Sequence, residues 1–158
     1  MSDIVIRDGT EDDWDFIEEG LIESSLLTER AERRGELSLE TLRDQARKNI
    51  ERFHRNAKKP EAAFIAEVCG VRAGFIWVST EIGLGTGEFC GWVLDIYVRP
   101  EHRRRGIGSM LLSKAEEWAR KQNAGSLWLN AGAENEAALA LYRHEGFKVE
   151  TVHMSKRL

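Results

Sequence analysis

Residues 93–109 read V-L-D-I-Y-V-R-P-E-H-R-R-R-G-I-G-S. β-Branched and aromatic side chains dominate as far as Val98, which is strand composition, and Pro100 removes a ladder donor and ends the strand. Arg103, Arg104, Arg105, Gly106, Ile107 and Gly108 follow as a basic turn. Its two glycines have no β-carbon, so the backbone can come close to a ligand and take dihedrals that other residues avoid. The run M-L-L-S-K-A-E-E-W-A after Ser109 has the spacing of an amphipathic helix. A helix beginning at such a turn presents unpaired N–H groups and the positive end of its dipole, which is a seat for a di-anion. Strand, turn and helix together predict a pyrophosphate site. The competing reading is a solvated basic turn that satisfies carboxylates such as Glu101.

Working outward, three strands are expected before the turn, over residues 62–68, 72–80 and 88–98. C-G-V joins the first two as a tight hairpin, and the glycine-rich E-I-G-L-G-T-G, residues 81–87, joins the next pair as a mobile loop. A short strand over 4–7 opens the chain. The helix after it is capped by Thr10 with Asp13 three residues on, and carries Trp14, Ile17, Leu21 and Leu26 on an apolar face. Charges thicken over 27–37 and Gly35 marks a bend. A second helix over 38–55 has Leu42, Ala46, Ile50 and Phe53 on one side, and a polar loop, H-R-N-A-K-K-P, follows it. Beyond the turn, a helix over 107–122 places Ile107, Leu111, Ala115 and Trp118 on one stripe. Residues 126–130 read as a buried strand, 135–144 as a helix, and 147 onward as a last strand or pair of strands. The order βααβββαβαβ predicts an α/β (α+β) fold with a mixed central sheet and helices on both faces.

With 158 residues, 42% of them hydrophobic and 32% charged, the chain fits one globular domain over 1–158. A net charge of -4 gives no general affinity for nucleic acid or anionic membrane, so the arginine cluster is a local feature. Cys69 and Cys90 lie in strand-like segments and read as buried, reduced thiols of a cytoplasmic protein. The start M-S-D-I-V-I-R-D lacks the basic region and apolar core of a secretory signal. No apolar run is long enough to cross a bilayer.

Arg103, Gly106 and Gly108 fill the pattern Gln or Arg, two residues, Gly, one residue, Gly or Ala. In this the chain resembles the GCN5-related N-acetyltransferase (GNAT) superfamily. The register continues in L-W-L-N-A-G-A-E-N-E-A-A-L-A-L-Y-R-H-E-G-F, which is similar to the family's next strand and helix up to its Leu-Tyr…Gly-Phe ending. The resemblance implies that two central strands splay apart and that the pantetheine arm of acetyl-CoA lies in the gap. It implies that Ile96, Tyr97 and Val98 offer backbone groups to that arm. Arg103, Arg104, Arg105, Gly106, Ile107, Gly108 and Ser109 would hold the pyrophosphate, with Asn130, Asn135 and Tyr142 lining the rest of the cofactor; no metal is implied. Asn135 also reads simply as a helix cap.

Acetyl transfer to an amine needs a group that takes the amine's proton, fixed donors for the developing oxyanion, and an acid for the departing thiolate. A main-chain N–H near Tyr97 or Val98 is the candidate donor. By resemblance Tyr142, four residues before Gly146, is the general acid; its plainer reading is an aromatic closing the apolar face with Ala138 and Leu141. Family members acting on ribosomal-protein N-termini carry a glutamate where Asn130 stands, and an amide accepts no proton. Asp95, Glu88, His102 or a water chain stay open as the base. Asp95 also has a bland reading, as an inward carboxylate paired with an arginine.

Only residues 148–158 follow Gly146-Phe147, without the longer hairpin that members acting on peptide N-termini place over the substrate. This favours a small-molecule amine or a lysine-like acceptor over a protein N-terminus. The N-terminal helices and residues 81–87 are expected to wall the acceptor site. Asp12, Asp13, Glu18, Glu19 and Glu23 would suit a cationic amine, though a solvated helix face explains them more simply. A catalytically silent acyl-CoA sensor and a protein N-terminal or lysine acetyltransferase are the alternatives. Nucleic-acid binding by the arginines lacks a basic face and stacking aromatics. A homodimer is compatible with the sequence.

Overall fold

The computed structural model describes residues 3–55, 59–83 and 85–158, with side chains for all of these but 53–55. Part of the expected loop 54–60, the place of Phe53 on its helix, and Leu84 in the glycine-rich loop lie outside the described residues. The elements are β1 (Ile4–Asp8), α1 (Trp14–Thr28), α2 (Ala31–Arg34), α3 (Leu39–Arg55), β2 (Glu61–Val68), β3 (Val71–Ile82), β4 (Phe89–Val98), α4 (Ile107–Lys121), β5 (Leu127–Trp128) and α5 (Glu136–His144). Single 3₁₀ turns, Glu11–Asp13 and Pro100–His102, lead into α1 and out of β4. The sheet order is β1-β2-β3-β4-β5, antiparallel through β4, with β5 joining in parallel after the α4 crossover. This is the expected mixed sheet with helices on both faces, in the expected order as far as α5 except that the bend expected over 27–37 holds one short further helix, α2.

β3 is buried on both faces, so its core reads as a continuous apolar run rather than an alternating one. Ile76 and Val78, with Val93 of β4, pack on Ile107, Leu111, Leu112 and Ala115 of α4. Phe75, Trp77 and Tyr97 turn the other way, onto Phe16 and Ile17 of α1. Helix α1 lies unusually close to the sheet at one point. A β-carbon on Gly20 would stand 2.3 Å from Phe75 Cε1 and 2.8 Å from Tyr97 Cδ1. Glycine there seats α1 across β3 and β4, and so brings Glu23 and Ser24 over β4.

The start of α1 is pinned to β1 by charge. Arg7 donates from Nη1 and Nη2 to Asp13 at 2.7 and 2.9 Å and from Nε to Glu67 at 2.7 Å. Asp13 also accepts from the Thr10 N–H at 2.9 Å and completes the expected capping box. The Arg7 guanidinium, outweighing the effect of burial, holds the Asp13 carboxyl down at about 2.

Three expectations are corrected. Cys69 is exposed rather than buried: with φ 51° beside Gly70 at φ 78°, it forms the expected tight connection between β2 and β3, where both positions need left-handed backbone. Cys90 is buried and free, as expected. The strand expected over 126–130 contracts to Leu127–Trp128, because β4 offers it partners only at Gly91 and Trp92. The last strand is absent: residues 148–158 take no regular form, with Val149 72% and Met154 84% exposed. A two-residue β5 leaves no ladder for them to extend.

Replacing Asp13 by Asn removes the buried member of a half-buried ion pair and is expected to lower unfolding free energy at pH 7 by about 2 kcal/mol. The depressed value makes this stabilisation complete above about pH 4 and lost as pH falls through about 2. Urea midpoints of the two proteins should therefore converge towards pH 2; equal midpoints at pH 7 would refute the assignment.

Candidate active site

β3 and β4 are out of step by one residue. Val78 pairs with Val93 and Trp77 with Asp95, so Leu94 is an extra residue, a β-bulge. Just before it β4 holds β5, through Gly91 and Trp92; beyond it no strand among the described residues covers the outer edge of β4. The edge from Val93 to Val98 therefore faces a gap.

Antiparallel alternation decides which backbone groups point there. The Arg99 N–H donates to the Ala73 carbonyl at 2.8 Å, so Tyr97 is likewise bonded towards Phe75 while Ile96 and Val98 point to the gap. The Ile96 N–H is taken by Asp95 Oδ1 at 2.8 Å, and the Val98 carbonyl accepts Arg103 Nε at 2.9 Å. What remains on the edge is the Ile96 carbonyl and the Val98 N–H. Tyr97 is turned away from the gap on both counts, since its ring lies under α1 and its hydroxyl donates to Glu23 Oε2 at 2.7 Å. Burial, followed by the Glu23 charge, pushes its phenol up.

The basic turn has the geometry of a backbone cradle. Arg104 has φ 63° and Gly106, the residue capping α4, has φ 78°. Nothing lies within 4 Å of the place a Gly106 β-carbon would take, so this side of the turn is open. Gly108 has a different reason for being glycine: a β-carbon there would stand 2.7 Å from Leu141 Cδ2, so it admits α5 rather than a ligand. Ile107 is core. Ser109 spends its hydroxyl on Glu145 Oε1 at 2.5 Å, leaving its N–H at the open first turn of α4. Arg103, Arg104 and Arg105 are exposed; Arg103 is bonded to the Val98 carbonyl, and none of the three pairs with Glu101.

Tyr142 is 9% exposed, in the core cluster under α4, with its ring edge-on to Phe147 at 5.9 Å. Burial first, and then the charge of Asp95, push its phenol up to about 12. Asn135 caps α5, its Oδ1 accepting the Ala138 N–H at 3.2 Å. Asn130 is exposed in the segment after β5.

Asp95 has no arginine partner. Its Oδ2 is closed off from solvent and has no hydrogen-bond partner among the described residues. Burial lifts its carboxyl to about 7 against the opposing hydrogen bonds of Ser24 and the Ile96 N–H. Of the other candidate bases, Glu88 is exposed beside Ser126, and His102 sits in the Pro100–His102 turn with its Nδ1 buried and unpartnered among the described residues. The expected acidic wall is largely neutralised: Asp13 binds Arg7, Glu18 binds Arg47, and Glu19 lies 3.7 Å from Arg99. Sequence reasoning missed Ser24, and Trp92 and Trp128, which flank the gap. They come from three separate elements, so no periodicity within one element brings them together.

The sequence model of the acetyltransferase (GNAT) family matches residues 24–147. The chain belongs to that family. A protein from Pyrococcus furiosus, described as a candidate acetyl transferase, superposes with a TM-score of 0.80 at 25% identity, covering 99% of this chain and 100% of its own. An uncharacterised N-acetyltransferase of Methanocaldococcus jannaschii is 34% identical over 94 residues, 56% of this chain and 40% of that protein. Streptothricin acetyltransferase of Streptomyces lavendulae is 45% identical over 70 residues, 41% of this chain and 37% of its own length. The GNAT chain thus matches well under half the length of these two relatives. None of its described helices is long and apolar enough to cross a membrane.

The raised Asp95 value has a consequence for stability. The neutral carboxyl suits the fold, so its contribution is complete below about pH 4 and is lost as pH rises through about 7. An Asp95→Asn variant, neutral throughout, should be more stable than the parent at pH 8 by roughly 4 kcal/mol, since each tenfold weakening of the acid is worth about 1.4 kcal/mol. The difference should close at pH 4. Thermal unfolding at the two pH values checks it, and a variant no more stable at pH 8 would refute the burial argument.

Proposed function

We propose that the chain is an acetyl-CoA-dependent N-acetyltransferase acting on a primary amine of a small molecule or a lysine-like group. The observation that carries this reading is the gap between β4 and β5, which has at its edge the Asp95 carboxylate, one of whose oxygens, Oδ2, is buried with no partner among the described residues, and a buried phenol, Tyr142, close enough to feel its charge. The residues present fit the cofactor. Gly106 leaves open space above a left-handed corner, and the N–H groups of Ile107, Gly108 and Ser109 are the unpaired donors of a helix start. Bound acetyl-CoA would supply an activated acetyl carbon and, in its thiolate, a leaving group.

The residues of the chain divide the work. Arg104 and Arg105 place positive charge beside the turn, while Arg103 holds the Val98 carbonyl and so fixes the direction of the edge. The Ile96 carbonyl and Val98 N–H are the pair left to bond an extended ligand arm, as a neighbouring strand would. The Val98 N–H is also the donor aimed where negative charge develops on the acetyl oxygen. Asn135 can cap α5 and face the arm at once.

As the new N–C bond forms and the C–S bond breaks, Asp95 takes the amine's proton. A carboxylate near 7 is better matched to that role than an ordinary one, since it is still ionised in good part at neutral pH yet is more basic. Tyr142, at about 12, stays protonated throughout and donates a hydrogen bond to the departing sulfur. A thiol near 8.5 is the stronger acid of the two, so Tyr142 acts through a donated hydrogen bond rather than complete transfer until burial raises the thiol as well. A silent acyl-CoA sensor would need neither group.

Free-thiol release from acetyl-CoA with a panel of amines tests the reading. Tyr142→Phe is expected to lower kcat about 10²-fold with the cofactor Kd nearly unchanged. Asp95→Asn should lower it by a similar factor and remove the limb of the pH profile that rises through about pH 7. Tight acetyl-CoA binding with no release on any amine would favour the sensor, and unchanged turnover in Tyr142→Phe would remove that residue from the mechanism.

A further inference from the structure

The acceptor side of the gap has a floor that the sequence conceals; its assignment rests on the acetyl-transfer reading above. Trp92 pairs with Ser79, and Asp95 with Trp77. Ser79 and Trp77 are two apart in β3 and share a face. Trp92 and Asp95, three apart in sequence, therefore share that face too, one two-residue step or ~7 Å apart along the sheet. Trp128 stands beside Trp92 in parallel register on the neighbouring strand. Val93, Leu127 and Leu129, which alternate with these tryptophans, all pack towards α4. Both indoles accordingly face the α1 side of the sheet. They are half-buried, and neither belongs to the apolar cluster beneath α1.

Trp128 is held in orientation. Its Nε1 donates to Ser126 Oγ at 2.9 Å, and the Ser126 hydroxyl donates to Glu88 Oε1 at 3.4 Å. Glu88 is exposed and forms no ion pair among the described residues, whereas Glu81 across the same hairpin is neutralised by Lys59 at 2.6 Å. Two indole faces, a carboxylate without a counter-ion at the edge of one of them, and the buried unpartnered Asp95 Oδ2 one step away make a built corner.

We propose that Trp92 and Trp128 floor the acceptor subsite and that Glu88 binds a second positive charge on the acceptor, so that the substrate class is a diamine. One nitrogen is held as an ammonium over the indoles, by the ring quadrupole and the carboxylate. The other reaches Asp95 from the indoles, since Trp92 lies ~7 Å from Asp95 along the sheet, the length of a four- or five-carbon diamine; Glu88, linked to Trp128 through Ser126, acts on the ammonium from the far side of the indoles. An amine with a single nitrogen fills only half of this corner.

Calorimetric titration of butane-1,4-diamine and butylamine into the protein saturated with coenzyme A tests the assignment. The diamine is expected to bind at least about tenfold more tightly, a difference of about 1.4 kcal/mol. Glu88→Gln, at an exposed position that does not hold the fold, and Trp128→Leu should each remove most of that advantage. In turnover they should raise KM for the diamine about tenfold while kcat stays within about threefold. Equal affinity for the two amines, no binding of either, or an advantage that survives both substitutions would overturn the acceptor assignment alone. Failure of coenzyme A to bind would instead overturn the reading beneath it.

Discussion

One surplus residue in β4 governs the site. Because Leu94 has no opposite number in β3, the strand bends there and the parity of everything after it changes. Pairing with β5 stops at Trp92, and the edge that would have bonded a fifth strand is left bare. Bare edges are hazards in a protein that does not use them. Here the two groups that would be most awkward to leave open, the Ile96 N–H and the Val98 carbonyl, are covered by Asp95 and Arg103, and one donor and one acceptor remain between them. That residue also puts Asp95 on the α1 face with Trp92, while Ile96 and Val98 stay on the α4 face. The gap consequently has a carboxylate on one side of the sheet and Tyr142 on the other.

Such an arrangement works only if the layers above and below the sheet are held at fixed distances. On one side, Gly20 lets α1 rest directly on Phe75 and Tyr97, which carries Ser24 to Asp95 and Glu23 to the Tyr97 hydroxyl. The Arg7–Asp13 pair fixes the other end of the same helix to β1. On the opposite side, Gly108 admits Leu141, and Ser109 bonds Glu145, so that α5 is clamped to the first turn of α4. The turn that receives the phosphates and the helix that bears Tyr142 are therefore one unit. A ligand seated on the first constrains the second.

Much of this is legible in the sequence, and what is not has a common cause. Strand, basic turn and helix over residues 93–109 can be read because each depends on local chemistry: β-branched residues, Pro100, and a glycine at a left-handed corner. The capping box at Thr10 and Asp13 is legible for the same reason. Gly108 reads as room for a ligand, yet its neighbour is Leu141, thirty-three positions away, and no local pattern carries that fact. The C-G-V connection is legible because Gly70 supplies a turn, whereas the exposure of Cys69 is not, since strand composition runs up to it while the turn needs left-handed backbone at both residues. The brevity of β5 and the irregular segment 148–158 follow from the bulge, since a strand exists only where its neighbour pairs with it. The bulge itself leaves no mark in β4, whose run of V-L-D-I-Y-V reads equally well with or without an extra residue.

Asp95 shows why function and stability pull apart at this point. A folded protein normally pairs a carboxylate or leaves it in water, and the core around Asp95 does neither fully: Ser24 and the Ile96 N–H engage it, while Oδ2 stays unpaired out of solvent. An arginine within reach would relieve the burial and drive the carboxyl back below its ordinary value, at which it would be ionised but too weakly basic to relieve an attacking amine. A fully apolar pocket would do the opposite and keep it protonated at neutral pH. Two hydrogen bonds set against deep burial give the intermediate state, in which the proton can be taken up and released near pH 7. The same burial acts on Tyr142 in the same sense, but a phenol is already protonated at neutral pH, so raising it makes a more persistent donor rather than a base. One dry gap thus makes a base of the carboxylate and a donor of the phenol, and it does so because the sheet separates before its last strand is complete.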